Sequence, residues 1–223
     1  MIWQTILALL AAAAVTVLMA RRMMFILDRA KLAPFKIFAN VLELVTDGEI
    51  SAGESIASHV LTAKYKDHPI ELKTIADTLA TRKLPSLWLM ITLKSPIPIR
   101  QTLDLMMRPA GPTTFSNFDF LPETLSTPPG FPALSVLRSD QDKAPFNLAL
   151  LLPHLKFFAN PRAKELLIKP NGVRFVVQLA EAERVRYLVN REARFEDTAI
   201  DPDFLVQCLD ALLELHSSLV KNV

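Results

Sequence analysis

The sequence predicts an α+β protein with an N-terminal transmembrane helix, antiparallel strand pairs and a packed amphipathic C-terminal helix. Three observations lead to this prediction. Residues 2–20 form an uncharged run. From residue 57 onward, several segments alternate apolar and polar residues with a period of two, which is typical of strands. The residues after Asp201 place their apolar side chains at helical spacing, along one stripe.

The uncharged run is long enough to cross a membrane, since about 20 apolar residues span a hydrocarbon core of roughly 30 Å. A cleavable signal peptide and a buried core helix are the alternatives, but the run lacks a basic start and is long for a core helix. Basic residues follow it, and such residues stay cytoplasmic. They are Arg21, Arg22, Arg29, Lys31 and Lys36.

These observations predict a transmembrane anchor over residues 1–22, embedded in the lipid bilayer through residues 2–20. The expected location is a bacterial inner membrane, crossed once, with the N-terminus outside and the C-terminal domain in the cytoplasm. A periplasmic domain is the alternative. The lone Cys208 fits a reducing compartment, because it has no partner for an intramolecular disulfide.

The composition limits the classes of function. A net charge of +2 is too small to indicate nucleic-acid binding. Five glycines stand against sixteen prolines, and neither G-x-G-x-x-G nor G-x-x-x-x-G-K-[ST] occurs. Nucleotide binding through glycine-rich loops is therefore not expected.

Residues 23–47 read as a juxtamembrane amphipathic helix, kinked at Pro34. This segment either lies on anionic lipid or caps the core of the domain. Residues 48–108 form a strand-rich first half. It contains a predicted hairpin of Ala57–Lys66 with Pro69–Ala76, a central strand Leu87–Lys94 and a further strand Ile99–Met107.

Residues 109–132 form a proline-rich connector, because six prolines exclude a helix or a central strand. We expect an ordered loop whose aromatic residues, Phe115, Phe118 and Phe120, pack on the core. The alternative is a proline-rich recognition segment for a partner protein.

Residues 133–223 form an α+β second half. The dipeptide Asn171-Gly172 between two apolar runs is a strong hairpin signal. Asp201 followed by Pro202 predicts the start of the C-terminal helix. The other predicted elements are a strand Ala133–Arg138, a helix capped at Ser139–Asp142 and running through Phe158, and a strand Val185–Val189.

The sequence predicts no catalytic, cofactor-binding or metal-binding residues. The four histidines, His59, His68, His154 and His216, do not show the spacing of metal ligands. Cys208 lies within the apolar stripe of the C-terminal helix, which indicates a buried structural thiol. An enzyme with a dispersed site remains an open hypothesis, in which His59 or His68 acts with Asp67 or Glu71.

Three segments of the second half carry a resemblance. They are Leu134-Ser-Val-Leu-Arg-Ser139-Asp140, Leu151-Leu152-Pro153 and Lys169-Pro-Asn-Gly-Val-Arg-Phe175. This order of strand, Ser-Asp turn, Leu-Leu-containing helix and hairpin resembles small membrane-anchored bacterial proteins of unknown function. The resemblance implies an α+β domain and no active-site residue.

The predicted function is that of a membrane-anchored scaffold or accessory subunit whose cytoplasmic domain binds another protein. It rests on the predicted anchor and on the lack of a catalytic motif. One alternative is a membrane-surface domain that binds a lipid or another ligand, between the basic segment Arg21–Lys36 and the apolar strand around Trp88. The other is the dispersed enzyme site.

Overall fold

The computed structural model describes residues 13–22, 36–53, 58–77, 84–184, 187–188, 193, 195 and 198–223. Within these residues, strands β1 to β9 form one antiparallel sheet in the order β1-β2-β3-β4-β9-β8-β5-β7-β6. The strands are β1 Thr46–Ala52, β2 His59–Tyr65, β3 His68–Asp77, β4 Ser86–Leu93, β5 Leu103–Met107, β6 Glu123–Leu125, β7 Ser135–Ser139, β8 Ala163–Lys169 and β9 Gly172–Glu181.

The described chain also contains helical segments. Residues 13–22 are α-helical. Three segments are 3-10 helices: η1 Ala39–Leu44, η2 Phe118–Phe120 and η3 Leu148–Ala159. The C-terminal helix runs from Pro202 to Asn222.

The predicted transmembrane helix and the localisation built on it are corrected by the structure. The described stretch of this helix, residues 13–22, covers about 15 Å at 1.5 Å per residue. Among the described residues, no helix combines the length and the apolar character needed to cross a membrane. A single-pass inner-membrane protein is therefore not supported. Residues 2–12 of the predicted span lie outside the described residues.

The α+β class is supported, but the prediction of separate strand pairs is wrong. Strands from the two halves of the sequence join in one sheet, because β4 pairs with β9 and β5 pairs with β8. β4 is apolar on nearly all positions, and such a strand is stable only between two neighbours. The structure gives it β3 on one side and β9 on the other.

The main core lies on one face of the sheet, under the C-terminal helix, η1 and η3. Asp201 caps the C-terminal helix, since its side chain accepts hydrogen bonds from the backbone of Asp203 and Phe204. This confirms the predicted N-cap. The buried stripe of this helix consists of Leu205, Cys208, Leu209, Leu212, Leu215 and Leu219.

The predicted hairpins are confirmed. β2 and β3 pair around the turn at Asp67, and β8 and β9 pair around Asn171-Gly172. Leu103, Leu105 and Met107 share the face of the main core, as their alternation predicts.

In the second half, one helix prediction and one strand prediction are wrong. The segment through Phe158 is a 3-10 helix capped by Asn147, and it begins well after Ser139–Asp142. Pro153 explains the difference, because proline lacks the N–H of an α-helical bond and clashes with the preceding turn. In the predicted strand Val185–Val189, residues 187 and 188 are helical, and the others lie outside the described residues.

Candidate functional site

The two faces of the sheet differ in what covers them. One face carries the main core. The other, which we call the polar face, carries mostly polar side chains around a second apolar cluster. That cluster consists of Met90, Met106, Phe115, Phe118 and Val176, with Ile75, Trp88 and Val136 half-buried against it. Candidate chemistry is concentrated on the polar face.

A cleft of about 470 Å³ opens on the polar face beside the turn between β8 and β9. Its lining includes the cationic side chains of Lys94, Lys169 and Arg174, together with the polar residues Thr92 and Asn171. We call it the basic cleft. Cations that converge on a concave surface attract anionic ligands, because low-dielectric walls concentrate their field.

The wall of the basic cleft depends on the close approach of the β8–β9 turn to the end of β4 and to the residues that follow β4. Gly172 has a φ of +148°, and a Cβ there would lie 2.1 Å from the carbonyl oxygen of Leu93. Only glycine therefore lets the β8–β9 turn press against the end of β4. On the other side, the backbone N–H of Ile97 donates to the carbonyl of Pro170 at 2.9 Å.

The three cations of the basic cleft differ in their partners. Lys94 forms an ion pair with Glu71 at 2.5 Å. The Nε of Arg174 donates to the hydroxyl of Thr92 at 2.9 Å, which fixes the guanidinium. Among the described residues, the ion pairs within 4.0 Å involve neither Lys169 nor Arg174. Their positive charges act on the buried carboxyls of Asp104 and Glu165, and since no ion pair in the described part of the chain neutralises them they can also attract a ligand.

Two buried carboxyls lie below the basic cleft. Asp104 of β5 is 1% exposed and Glu165 of β8 is fully buried. Glu165 lies opposite Met106 in the ladder, so the two carboxyls are diagonal neighbours on the polar face. One oxygen of each, Oδ1 of Asp104 and Oε2 of Glu165, has no hydrogen-bond partner among the described residues. We call Asp104 and Glu165 the acid pair.

The hydroxyl of Ser116 bridges the acid pair. It contacts Oδ2 of Asp104 at 3.3 Å and Oε1 of Glu165, and it accepts the backbone N–H of Phe118 at 3.1 Å. A hydroxyl has one hydrogen, so it donates to only one carboxyl. The contact with the second carboxyl is a hydrogen bond only when that carboxyl brings its own proton. The arrangement therefore requires at least one proton on the acid pair.

Burial raises the pKa of both carboxyls of the acid pair. For Asp104, loss of solvation and then the neighbouring Glu165 raise the pKa well above its ordinary value, against smaller opposing effects of Ser116 and Lys169. For Glu165, loss of solvation raises the pKa, and the hydrogen bonds with Ser116 and Asp104 oppose the rise. Burial therefore favours the protonated form of the acid pair.

The strand register places the basic cleft next to the acid pair. Leu167, which lines the cleft, lies opposite both Asp104 and Arg174. Lys169 is thus a diagonal neighbour of Asp104, and Arg174 is a diagonal neighbour of Glu165. Diagonal neighbours lie about 7–8 Å apart at their Cα atoms, within reach of long side chains.

A short stretch of the proline-rich connector covers the second apolar cluster. We call residues 114–120 the cover segment. Phe115 and Phe118 are 5% and 2% exposed, and Ser116 points to the acid pair between them. The rings of Phe115 and Trp88 have their centroids 4.8 Å apart. This confirms the expected packing of Phe115 and Phe118, whereas Phe120 is 81% exposed.

Arg138 of β7 holds the other end of the cover segment. Its guanidinium lies 5.0 Å from the ring centroid of Phe118. Its Nη1 donates to the carbonyls of Phe118, Asp119 and Leu121 at 3.4, 3.1 and 3.5 Å. The cover segment is therefore fastened by aromatic packing, by Arg138 and by Ser116.

The residues of the dispersed-enzyme hypothesis lie along the β2–β3 hairpin, with Asp67 and His68 at its turn and His59 at its open end. His59 pairs with Thr74, and His68 pairs with Tyr65 at the opposite end of the same hairpin. Six residues along a strand separate the two histidines by about 20 Å. Glu71 is engaged with Lys94 on the polar face. Burial lowers the pKa of His59, which favours a neutral imidazole.

The described residues contain no cluster of potential metal ligands. In the described part of the chain, no three His, Cys, Asp or Glu side chains converge where a metal ion would bind. Cys208 is buried, and burial raises the pKa of its thiol to about 12. This bears out the expected burial of Cys208.

The basic residues predicted to flank a membrane are spread over the N-terminal region. Arg21 and Arg22 are exposed at the end of the helix at 13–22, and Lys36 is exposed at the start of a later helical turn. Arg29 and Lys31 lie outside the described residues. Trp88, named in the lipid-groove alternative, has its ring against that of Phe115.

Sequence reasoning missed both the acid pair and the basic cleft. A charged residue inside an apolar strand is the available signal: Asp104 lies within Leu-Asp-Leu-Met-Met and Glu165 within Ala-Lys-Glu-Leu-Leu-Ile. The signal does not say that the two carboxyls meet, because β5 and β8 are about 60 residues apart and their register is a property of the whole sheet.

Comparisons with known proteins give one structural likeness. No protein-family model matches the chain, and no curated protein matches it in sequence. The chain is similar to the crystal structure of the mycobacterial trehalose monomycolate transport factor A, TtfA, with a TM-score of 0.31 and 10% sequence identity. The alignment covers 82% of this chain and 75% of that one. A likeness at this TM-score carries no argument about the fold or the function.

Proposed function

We propose that the chain is an accessory protein that binds an acidic segment of another protein in the basic cleft. The observation that carries the proposal is the convergence of Lys94, Lys169 and Arg174 on one cleft, two of them without an ion-pair partner among the described residues. A partner carboxylate would provide the missing counter-charge.

The chemistry of the cleft favours carboxylates in an extended chain. Arg174 presents a planar guanidinium, held by Thr92, that is suited to a two-pronged contact with a carboxylate. Lys169 offers a second, flexible contact point on the neighbouring strand. Lys169 lies opposite Gly172, so Lys169 and Arg174 are diagonal neighbours about 7–8 Å apart. This is close to the roughly 6.8 Å between alternate residues of an extended chain, whose side chains share one face.

The surrounding polar face supplies further positive charge at its margin. Lys94 is half-exposed, and its ion pair with Glu71 leaves it able to exchange partners, because such exposed pairs contribute only about 0–1 kcal/mol. A partner with an acidic segment can therefore recruit Lys94 at small cost. Interactions of this kind weaken as salt rises, since the Debye length is about 10 Å at 0.1 M salt.

The test uses the full chain and a fluorescein-labelled hexaglutamate peptide. Fluorescence anisotropy at low and at physiological salt gives the dissociation constant. The Lys169→Gln, Arg174→Gln double variant removes two charged contacts, each worth about 1.5 kcal/mol. Binding is expected to weaken by about 100-fold, because every 1.4 kcal/mol is tenfold in affinity.

The matched control removes the same charge elsewhere. Lys156 on η3 and Lys221 at the end of the C-terminal helix are exposed and lie on the helical side of the sheet. The Lys156→Gln, Lys221→Gln double variant is expected to bind as the unmodified chain does. Equal loss in both double variants would show a general attraction to positive charge and would contradict a specific cleft.

A further inference from the structure

We infer that Asp104, Glu165 and Ser116 form a proton-dependent latch that holds the cover segment over the second apolar cluster and releases it when the acid pair loses its last proton. This inference is independent of the binding proposed for the basic cleft. It concerns a second surface, which the closed form hides.

The latch follows from the hydrogen-bond capacity of Ser116. With one proton on the acid pair, the hydroxyl donates to one carboxyl and accepts from the other while it also accepts the N–H of Phe118. When both carboxyls are ionised, one of them faces a lone pair of the hydroxyl, and two buried negative charges repel each other. Moving Ser116 away opens a path for water to both carboxylates.

The cover segment is placed to respond as a unit. Ser116 lies between the two aromatic anchors Phe115 and Phe118, and its hydroxyl accepts the backbone N–H of Phe118, so the state of the hydroxyl is linked to the backbone of the segment. Beyond these anchors the segment is largely exposed, including Asp119 and Phe120. The contacts of Arg138 with Phe118, Asp119 and Leu121 hold the far end of the segment, so the movement starts at Ser116.

Unsatisfied polar atoms make the closed form easy to open. The Nε1 of Trp88 and the hydroxyl of Thr114 are buried without a hydrogen-bond partner among the described residues, as are Oδ1 of Asp104 and Oε2 of Glu165. Lifting the cover segment would let water reach these atoms. Buried polar groups without partners favour any conformation that hydrates them.

The charged groups that face the acid pair come from the elements packed against it. The facing cations are Lys169 and Lys164 of β8, Arg174 of β9 and Arg138 of β7. Asp119 lies on the cover segment itself.

Release would uncover an apolar patch suited to an apolar partner surface. It contains Met90 and Met106, whose flexible side chains adapt to different shapes, beside Val176 and Trp88. The binding of the dye ANS reports such exposed apolar surface.

The test follows Trp88 in a full-length chain in which Trp3→Phe leaves Trp88 as the single tryptophan. Acrylamide quenching, ANS fluorescence and far-UV circular dichroism are measured from about pH 5 to about pH 9. The expected result is at least about a twofold rise in the quenching constant, with ANS binding and an unchanged dichroism spectrum. Asp104→Asn in this background is expected to remove the rise, since an amide donates to Ser116 at every pH.

Asp119→Asn is the matched control, because it neutralises an exposed carboxyl of the cover segment itself. This variant is expected to show the same pH dependence as the parent chain. The latch would be overturned by any of three results: no rise in the parent, an equal rise in Asp104→Asn, or loss of dichroism together with the rise, which would indicate unfolding.

Discussion

Replacing Gly172 by alanine is expected to destabilise the protein strongly. At this residue φ is +148°, a conformation that costs a residue with a side chain about 1–3 kcal/mol. The new Cβ would also lie 2.1 Å from the carbonyl oxygen of Leu93, so the end of β4 must move. That movement disturbs the hydrogen bond from the N–H of Lys94 to the carbonyl of Pro69, worth about 1 kcal/mol. The expected loss is about 2–4 kcal/mol in total.

The matched control is Gly111→Ala. Gly111 also has a positive φ, of +88°, but a Cβ there meets no atom within 4 Å. Only the backbone conformation opposes alanine, and the expected loss is about 1–2 kcal/mol. Urea denaturation followed by circular dichroism gives both free energies of unfolding. Equal losses in the two variants would refute the close approach of the β8–β9 turn to β4, on which the wall of the basic cleft depends.

Three further predictions concern buried side chains. Asp104→Asn should weaken the fall in stability with rising pH. An acid whose pKa is raised by folding contributes its stability below its unfolded value of about 3.9, and that contribution is lost as pH rises through the folded value. Glu165, whose pKa is also raised, keeps part of the dependence. Urea midpoints at several pH values would show the difference between the variant and the parent chain. Phe118→Ala should cost about 3 kcal/mol and Phe120→Ala almost nothing by the same denaturation, since the two rings differ in burial within one short helix. Cys208 should react with iodoacetamide at the rate of local or global opening, because its thiol is buried and its pKa is about 12; fast labelling under native conditions would contradict this.

Local signals in the sequence predict the local elements well. The dipeptide Asn171-Gly172 predicts the β8–β9 hairpin, and Asp201 with Pro202 predicts the start of the C-terminal helix. The alternation of Leu103 to Met107 predicts which side chains face the main core. In these cases turn chemistry, capping and side-chain period act over a few residues and need no knowledge of the fold.

Features that depend on distant parts of the chain are not predicted. The pairing of β4 with β9 joins segments about 85 residues apart, and both are apolar enough to pair with other strands. The acid pair arises from the register of β5 against β8, which sets Asp104 diagonally from Glu165. A shift of one residue would turn either carboxyl to the other face of the sheet.

The transmembrane prediction shows a different limit. The length and the hydropathy of an uncharged run are the two properties from which a sequence predicts a membrane span. Among the described residues, no helix has the length and the apolar character of a span. For η3, helical periodicity predicts the helix, but Pro153 changes its type.

The most direct measurement of the central claim maps the acidic peptide onto the chain. Amide chemical-shift changes in a two-dimensional NMR spectrum would be followed while hexaglutamate is added to the isotopically labelled full chain. We expect the largest changes at Thr92, Lys94 and residues 169–174, around the basic cleft. Changes confined to the helical face, or no saturable change at all, would contradict the proposal that this cleft binds an acidic segment of another protein.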